Sequence, residues 1–155
     1  MVRTFIGVIG LVLVGFLPWG AGARADKVLS NKEITVEPID LGSPSATVIG
    51  QPLRYPKGRP VLSAFKITIP PGKATSRHLH EVGIFAYVVS GTLEVDYGAK
   101  GRKRFGPGAG LLEAVNWCHR GRAVGDAPVV LVALYLGAPP LKNTVPCGTP
   151  GDSPR

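Results

Sequence analysis

Proline and glycine interrupt this chain too often for it to form long helices. Its 155 residues include 15 prolines and 21 glycines. Proline is excluded from helix interiors and from central strands, because it lacks a backbone N–H and fixes φ. Several of the prolines fall within residues 26–60, so this segment is predicted to form edge strands and loops around the rest of the fold.

Residues 61–138 contain short apolar runs separated by turn residues. Pro70-Pro71-Gly72 and Gly91 mark two of the turns, and no helical period is apparent. Short strands at regular spacing with glycine-marked turns are typical of an all-β sandwich or barrel. The runs that we predict to be strands are 61–69, 85–90, 92–97, 111–114, 118–124 and 128–137.

Residues 1–25 have the pattern of a secretory signal peptide. Arg3 precedes an uncharged run, residues 5–17, and Ala23-Arg24-Ala25 is a small-x-small cleavage site. The uncharged run is short for a bilayer span and is followed by Pro18. We therefore expect export to the periplasm or the exterior, cleavage after Ala25 and no membrane span in the mature chain. About 130 residues remain, enough for a single domain.

The formal net charge is +8. The densest cluster of basic residues lies beside Gly98 and Gly101, and these turn residues favour a solvated hairpin. Nucleic-acid binding would require a basic face with interleaved aromatic residues, and none is apparent. The residues of the cluster are Lys100, Arg102, Lys103 and Arg104.

The chain contains three histidines, His78, His80 and His119. In an extended strand, residues i and i+2 project from the same face. His78 and His80 therefore place two imidazoles side by side, which is half of a transition-metal site. No Ser-His-Asp set, pair of catalytic carboxylates, P-loop or CxxC motif accompanies them.

The spacing of Gly72, His78, His80 and Gly91 resembles the first motif of the cupin superfamily, G-x5-H-x-H-x3-E-x6-G. The acidic position of that motif is Ile84 in this chain. By the alternation of a strand, Ile84 points inward with Ala86 and Val88, while Phe85 and Tyr87 face the other way.

The second cupin motif, G-x5-P-x-G-x2-H-x3-N, is matched only at Gly108 and His119. The resemblance covers roughly residues 60–137. It implies a double-stranded β-helix, or jelly-roll barrel, as a single domain over residues 61–138. It also implies a homodimer, because cupins often pair through edge strands.

The resemblance assigns His78, His80 and His119 to one divalent transition metal, which is Fe, Zn, Cu, Ni or Mn. Without a carboxylate at Ile84, the pattern is similar to the three-histidine cupins found among thiol and diketone dioxygenases. It is also similar to cupins that have lost their metal. Glu113 restores a carboxylate near the site, either as a fourth ligand or metal partner, or as a residue on the solvent-facing rim.

Residues adjacent to the histidines alternate with them and are predicted to face outward. Glu81 follows His80 directly and is interpreted as a surface residue. Arg77 precedes His78, so a solvated position is the default, with the binding of a substrate carboxylate as the alternative. Arg120 follows His119 and is interpreted in the same way.

The two cysteines, Cys118 and Cys147, leave two interpretations open. In an exported protein they can pair, which would pin the tail across the barrel. Alternatively, Cys118 is a buried thiol and Cys147 is free. Residues 139–155 lack periodicity and are predicted to form a flexible tail.

Two functions are compatible with these features. The first is an exported metal-binding cupin that acts as a dioxygenase-like or other small-molecule metalloenzyme. The second is a non-catalytic cupin that binds or senses a small ligand, with a structural metal or none. In both, the partner is a small molecule.

Overall fold

The structure, a computed structural model, describes residues 36–148. The predicted signal peptide, residues 1–25, lies outside the described residues. Contacts divide the chain into two units, residues 1–38 and 39–155. In the first unit only residues 36–38 are described, and they have no regular structure. All of the strands described below belong to the second unit.

Nine β-strands and one short 3-10 turn, Gly98–Lys100, make up the regular structure of residues 39–148. None of the helices in this described part is long and apolar enough to cross a membrane. The prediction of an all-β fold is confirmed. The strands are β1 (Val61–Ile69), β2 (His78–Leu79), β3 (Gly83–Ser90), β4 (Thr92–Asp96), β5 (Arg102–Phe105), β6 (Gly110–Leu112), β7 (Arg120–Val124), β8 (Val129–Gly137) and β9 (Val145–Pro146).

The larger sheet has four antiparallel strands in the order β1-β8-β3-β6. Strand β8 lies at its centre, and its residues alternate between buried and half-buried from end to end. The alternation follows from the pleat, which sends successive side chains to opposite faces. Ile84, Ala86 and Val88 of β3 lie opposite inward-facing residues of β8 and are buried, as the strand alternation predicted.

The smaller sheet has the order β5-β4-β7, and β2 pairs separately with β9. Buried residues of the two larger sheets form one hydrophobic core, so the sheets face each other as in a jelly roll. The predicted jelly-roll fold is confirmed. The prediction of a closed barrel was too strong, because the ladders of the described residues do not join into one ring. Isolated bridges at Ala74–Arg122 and His78–His119 connect β2 and the segment that leads into it to β7 and the residue before that strand.

Gly91 turns the chain from the larger sheet into the smaller one. Its φ is +75°, in the left-handed region that favours glycine. A Cβ at this position would also collide with the backbone of Pro128. The glycine that ends the first motif is therefore required by the turn itself.

The segments before and after the sheets differ from their predictions. The described residues 36–60 form turns and one bridge, Ala46–Pro52, rather than edge strands. Residues 139–148, predicted to begin a flexible tail, are held to the domain by the pairing of β9 with β2 and by a disulfide. That disulfide joins Cys118 to Cys147, with the two Cα atoms 6.0 Å apart. It confirms the pairing interpretation of the cysteines.

Candidate metal centre

Two rules of strand geometry bring the three imidazoles together. His78 and His80 are two residues apart, so their side chains leave the same face of the chain. His78 and His119 exchange both backbone hydrogen bonds, N to O, at 3.0 and 2.9 Å. Residues directly opposite in an antiparallel pair project from the same face. The third histidine therefore joins the first two through the bridge between strands.

The imidazoles form a compact triangle. Ring centroids are 4.8 Å apart for His78 and His80, 4.7 Å for His78 and His119, and 5.0 Å for His80 and His119. One ligand nitrogen from each ring lies within 4.8 Å of the other two. His80 and His119 are buried, and His78 is half-buried at the open end of the cavity. The three histidines form a group that can hold a metal ion.

Each imidazole is oriented by a backbone carbonyl. The Nδ1 atoms of His78, His80 and His119 lie 2.8, 2.7 and 2.8 Å from carbonyl oxygens. A carbonyl only accepts, so each Nδ1 must carry the proton and donate it. The other nitrogen, Nε2, is then left with its lone pair. The carbonyls belong to Ser76, Asn143 and Trp117, respectively.

The surroundings of the site favour neutral imidazoles. Burial lowers the pKa of His80 to about 3, and the neighbouring His119 and His78 add to the effect. Burial also lowers the pKa of His78. Metal ligation requires a neutral ring with a free lone pair. Burial therefore favours the ligating form of His78 and His80.

Below the histidines lies a cavity of about 80 Å³, which we call the histidine cavity. Its walls are mostly aliphatic and come from both sheets. Ile84 is one of the lining residues, so an apolar side chain occupies the position of the motif's acidic residue. The aliphatic residues that line it are Ile67, Ile69, Ile84, Ala86, Leu93, Val95, Leu111, Leu131 and Ala133.

Glu113 lies inside this cavity rather than on the rim, and its side chain is buried. Its Oε1 accepts hydrogen bonds from the Tyr97 hydroxyl and from the backbone N–H of Ala114, both at 2.7 Å. Its Oε2 lies 3.9 Å from Nε2 of His119. The carboxylate is therefore held by one oxygen, and the other faces the histidine group.

Several residues at the site were not anticipated. Tyr97 is fully buried, and burial raises the pKa of its hydroxyl, which stays protonated and donates to Glu113. Tyr135 packs edge-on against His80, with centroids 5.6 Å apart. Its position in a strand-like apolar run gave no sign of a place in the cavity.

Residues 141–147, which we call the C-terminal strap, were also not anticipated at the site. Asn143 supplies the carbonyl that orients His80. The backbone N–H of Lys142 donates to Oε2 of Glu81 at 2.6 Å, so Glu81, a partly exposed residue, also anchors the strap. The only signal in the sequence was Cys147, whose disulfide ties the strap to the residue before His119.

Comparison with known protein families assigns the central part of the chain. Residues 65–135 match the family model described as the cupin domain. They form a cupin domain. The predicted resemblance to the cupin family is thereby confirmed, and His78, His80 and His119 all lie within the matched residues.

Comparison with solved structures gives three examples of similar proteins. Oxalate decarboxylase from Lactobacillus farciminis, in a formate complex, is 21% identical, with a TM-score of 0.48 over 55% of this chain and 26% of that one. The DMSP lyase DddQ from Ruegeria pomeroyi is 22% identical, with a TM-score of 0.48 over 55% and 42%. An oxalate decarboxylase mutant from Bacillus subtilis is 19% identical, with a TM-score of 0.42 over 48% and 21%.

The chain thus spans less than half the length of each of these three proteins. No curated protein matches it by sequence.

Proposed function

We propose that this chain is an exported metalloenzyme in which His78, His80 and His119 hold one divalent transition metal beside a cavity for a small molecule. One observation carries the proposal: each ring is oriented by a backbone carbonyl at its Nδ1, and the three rings offer ligand nitrogens that lie within 4.8 Å of one another. Three converging acceptors repel one another unless a cation or a donor lies among them.

The donor set fits Fe, Zn, Cu, Ni or Mn, because neutral imidazole is a ligand for all of these ions. Three protein ligands are characteristic of catalytic zinc, whereas structural zinc is held by four. When bound, such an ion supplies Lewis-acid or redox chemistry to a molecule in the cavity. The reaction we propose is dioxygenase-like or another transformation of a small organic molecule.

The protein's own contribution is an apolar wall and an oriented carboxylate. Ile84 and its aliphatic neighbours give the cavity a largely apolar lining. Tyr97 and the N–H of Ala114 fix one oxygen of Glu113, so that the other is presented to the site. We propose that Glu113 is the fourth ligand, or accepts a proton from a molecule bound there.

Metal analysis tests the proposal directly. The purified protein is loaded separately with Fe, Zn, Cu, Ni and Mn, passed over gel filtration and analysed by mass spectrometry of the elements. We expect about one ion per chain for at least one of them. His80→Ala and His119→Ala should each lose it, because two imidazoles are too few for a tight site. The exposed Asp126→Ala is the control and should keep it.

A wild-type protein that retains none of the five ions would remove the metal from the proposal. The second candidate, a non-catalytic cupin that binds or senses a small ligand, would then take its place. The largely apolar wall of the histidine cavity favours this candidate, since apolar pockets bind small molecules without chemistry. A tightly held zinc with no turnover would favour it as well.

Export is supported by the disulfide between Cys118 and Cys147, because disulfides persist in oxidising compartments. The mature chain should begin at Asp26, and the intact mass of the protein recovered from the periplasm or medium measures this. A protein recovered from the cytoplasm with Met1 in place would contradict export.

A homodimer is supported by strand β1, whose outer edge has no partner strand among the described residues. Leu62 and Phe65 on this strand are 61% and 50% exposed. Light scattering after gel filtration should give twice the chain mass, and a monomer at micromolar concentration would contradict the dimer.

A further inference from the structure

One buried side-chain nitrogen of the described residues has no hydrogen-bond partner, Nη1 of Arg77. Buried polar groups are nearly always paired, and an unpaired one is costly, most of all when it carries charge. Arginine side chains keep their positive charge in proteins. A buried donor without a partner on such a side chain therefore favours a ligand that accepts its hydrogen bond.

Arg77 lies beside the candidate metal centre. It lines an open pocket of about 330 Å³, which we call the mouth pocket, together with Thr144 and Pro146 of the C-terminal strap. The mouth pocket and the histidine cavity share three lining residues. The shared residues are Thr75, His78 and Tyr135. A molecule that reaches the histidine cavity through these residues passes Arg77.

Strand alternation predicted a solvated position for Arg77, which directly precedes β2. The C-terminal strap, however, lies against this residue, because the backbone N–H of Cys147 donates to the carbonyl of Arg77 at 3.2 Å. Arg77 is therefore only partly exposed.

The chemistry of the mouth pocket favours an anion. None of the residues that line it is acidic, so Arg77 has no carboxylate there to neutralise it. The other polar side chains are the imidazole of His78 and four hydroxyls, of which those of Tyr135 and Thr144 are hydrogen-bonded to each other. A guanidinium presents a planar fork of N–H donors that matches a carboxylate.

We propose that Arg77 binds the carboxylate of a small aliphatic acid whose hydrocarbon part enters the histidine cavity. The assignment rests on two features: an unpaired guanidinium at the mouth and an aliphatic wall below it. It builds on the proposed function, because it names the substrate class of the same site. Binding through Arg77 does not itself require the metal.

The test compares butyrate with butyramide, which have similar shapes but differ in charge. Their dissociation constants are measured by protein-observed NMR on the full mature chain, both metal-free and loaded with zinc. In the metal-free wild type, butyrate should bind about tenfold more tightly than butyramide, as one charge-assisted hydrogen-bonded pair would give. Arg77→Gln should reduce this ratio to about one.

Two further variants control for folding and for general charge. Arg77→Lys keeps the positive charge and should retain a preference for butyrate, though a smaller one, because the ammonium lacks the fork. Arg102→Gln removes one charge at an exposed position paired with Asp96 and should leave the tenfold ratio unchanged.

The inference is overturned if the metal-free wild type shows no preference for butyrate, or if the preference survives in Arg77→Gln. It is also overturned if Arg102→Gln lowers the ratio as much as Arg77→Gln does. The zinc content of the same samples separates this result from the proposed function. If the protein binds zinc but shows no preference for butyrate, only the role of Arg77 is contradicted. If the preference for butyrate depends on Arg77 but the protein binds no zinc, only the metal site is contradicted.

Discussion

Two buried glutamates show how differently this small domain treats the same side chain. Glu94 lies on the outer face of the smaller sheet, and Glu113 lies in the histidine cavity. Their relative exposures are similar, 4% and 8%. Glu94 has two cationic partners, whereas the hydrogen bonds of Glu113 come from a hydroxyl and a backbone N–H.

The cations beside Glu94 come from the neighbouring strands. Arg104 donates from β5 at 2.7 Å and Arg122 from β7 at 2.8 Å, so the carboxylate is bracketed by cross-strand pairs. The hydrogen bonds with Arg104 and then Arg122 lower the pKa of Glu94. The chain itself therefore supplies the positive charges that balance the carboxylate of Glu94.

In the histidine cavity, the described residues place no arginine or lysine beside Glu113. Glu113 faces three imidazoles, and burial keeps two of them, His78 and His80, neutral by lowering their pKa. A carboxylate and several lone pairs converge without a cation from the chain. The outer face therefore serves stability, and the cavity suits the positively charged ligand proposed above.

The largest effect should come from supplying that charge. Zinc at a thousandfold excess over its dissociation constant should raise the free energy of unfolding by about 4 kcal/mol, because it binds the folded state. Urea unfolding with and without zinc measures the increment. Glu94→Gln should show the same increment and His119→Ala none. An equal increment in His119→Ala would mean that zinc acts elsewhere.

Exchanging the two carboxylates for amides should separate their roles. Glu113→Gln should weaken zinc binding about 10- to 100-fold, the usual cost of altering a group that supports a metal site. Glu94→Gln, a change of the same kind on the outer face, should leave the affinity unchanged. Competition with a chromogenic chelator measures both. No change in Glu113→Gln would exclude Glu113 from the metal's surroundings.

As pH falls, the cavity should lose its contribution to the free energy of unfolding before the outer face loses its own. The pKa of His80 is lowered from 6.5 to about 3 in the folded protein. Between these values the unfolded chain binds a proton that the folded chain does not, so the free energy of unfolding falls as pH falls. The slope for one such group is about 1.4 kcal/mol per pH unit.

The lowered pKa of Glu94 affects stability in a more acidic pH range than that of His80. Its ordinary value is 4.5, and its contribution is present above that pH and lost only as pH falls through the lower folded value. Urea unfolding of the metal-free protein from pH 7.5 to 3.5 should therefore show two stages. His80→Gln should flatten the first stage, and Glu94→Gln should flatten the second. Constant stability between pH 6.5 and 4.5 would contradict the buried neutral His80.

The two glutamate substitutions should have their smallest effect on the free energy of unfolding of the metal-free protein at neutral pH. Glu94→Gln should cost about 1 kcal/mol, because its charged partners are half-exposed and screened by water. Glu113→Gln should cost less, since a Gln oxygen still accepts from Tyr97 and Ala114. Chemical denaturation measures both, and a larger loss for Glu113→Gln would reverse the comparison.

The parts of this site that follow strand periodicity were predictable from the sequence. The same-face placement of His78 and His80, and the inward direction of Ile84, require only that side chains alternate along a strand. The motif spacing added His119, whose place opposite His78 depends on pairing between distant segments. Burial and the confirmed cupin domain agree with those expectations.

The parts that depend on irregular segments were not predictable. Asn143 orients His80 through a backbone carbonyl, and any residue at that position has one. Tyr97 reaches Glu113 across 16 residues and two strands, so no local pattern relates them. Arg77 directly precedes His78, but only the path of the C-terminal strap places it in a pocket.

The disulfide gives the strap a consequence for how the site matures. Cys118 and Cys147 are separated by 29 positions in the sequence and close a loop that includes Asn143, the residue that orients His80. If oxidation of these thiols tightens metal binding, then by thermodynamic reciprocity the bound metal makes the disulfide harder to reduce by the same factor. Metal capture and thiol oxidation would then be coupled stages of one assembly. Zinc affinity measured with and without reductant, beside the disulfide's reduction midpoint with and without zinc, would reveal the two equal factors.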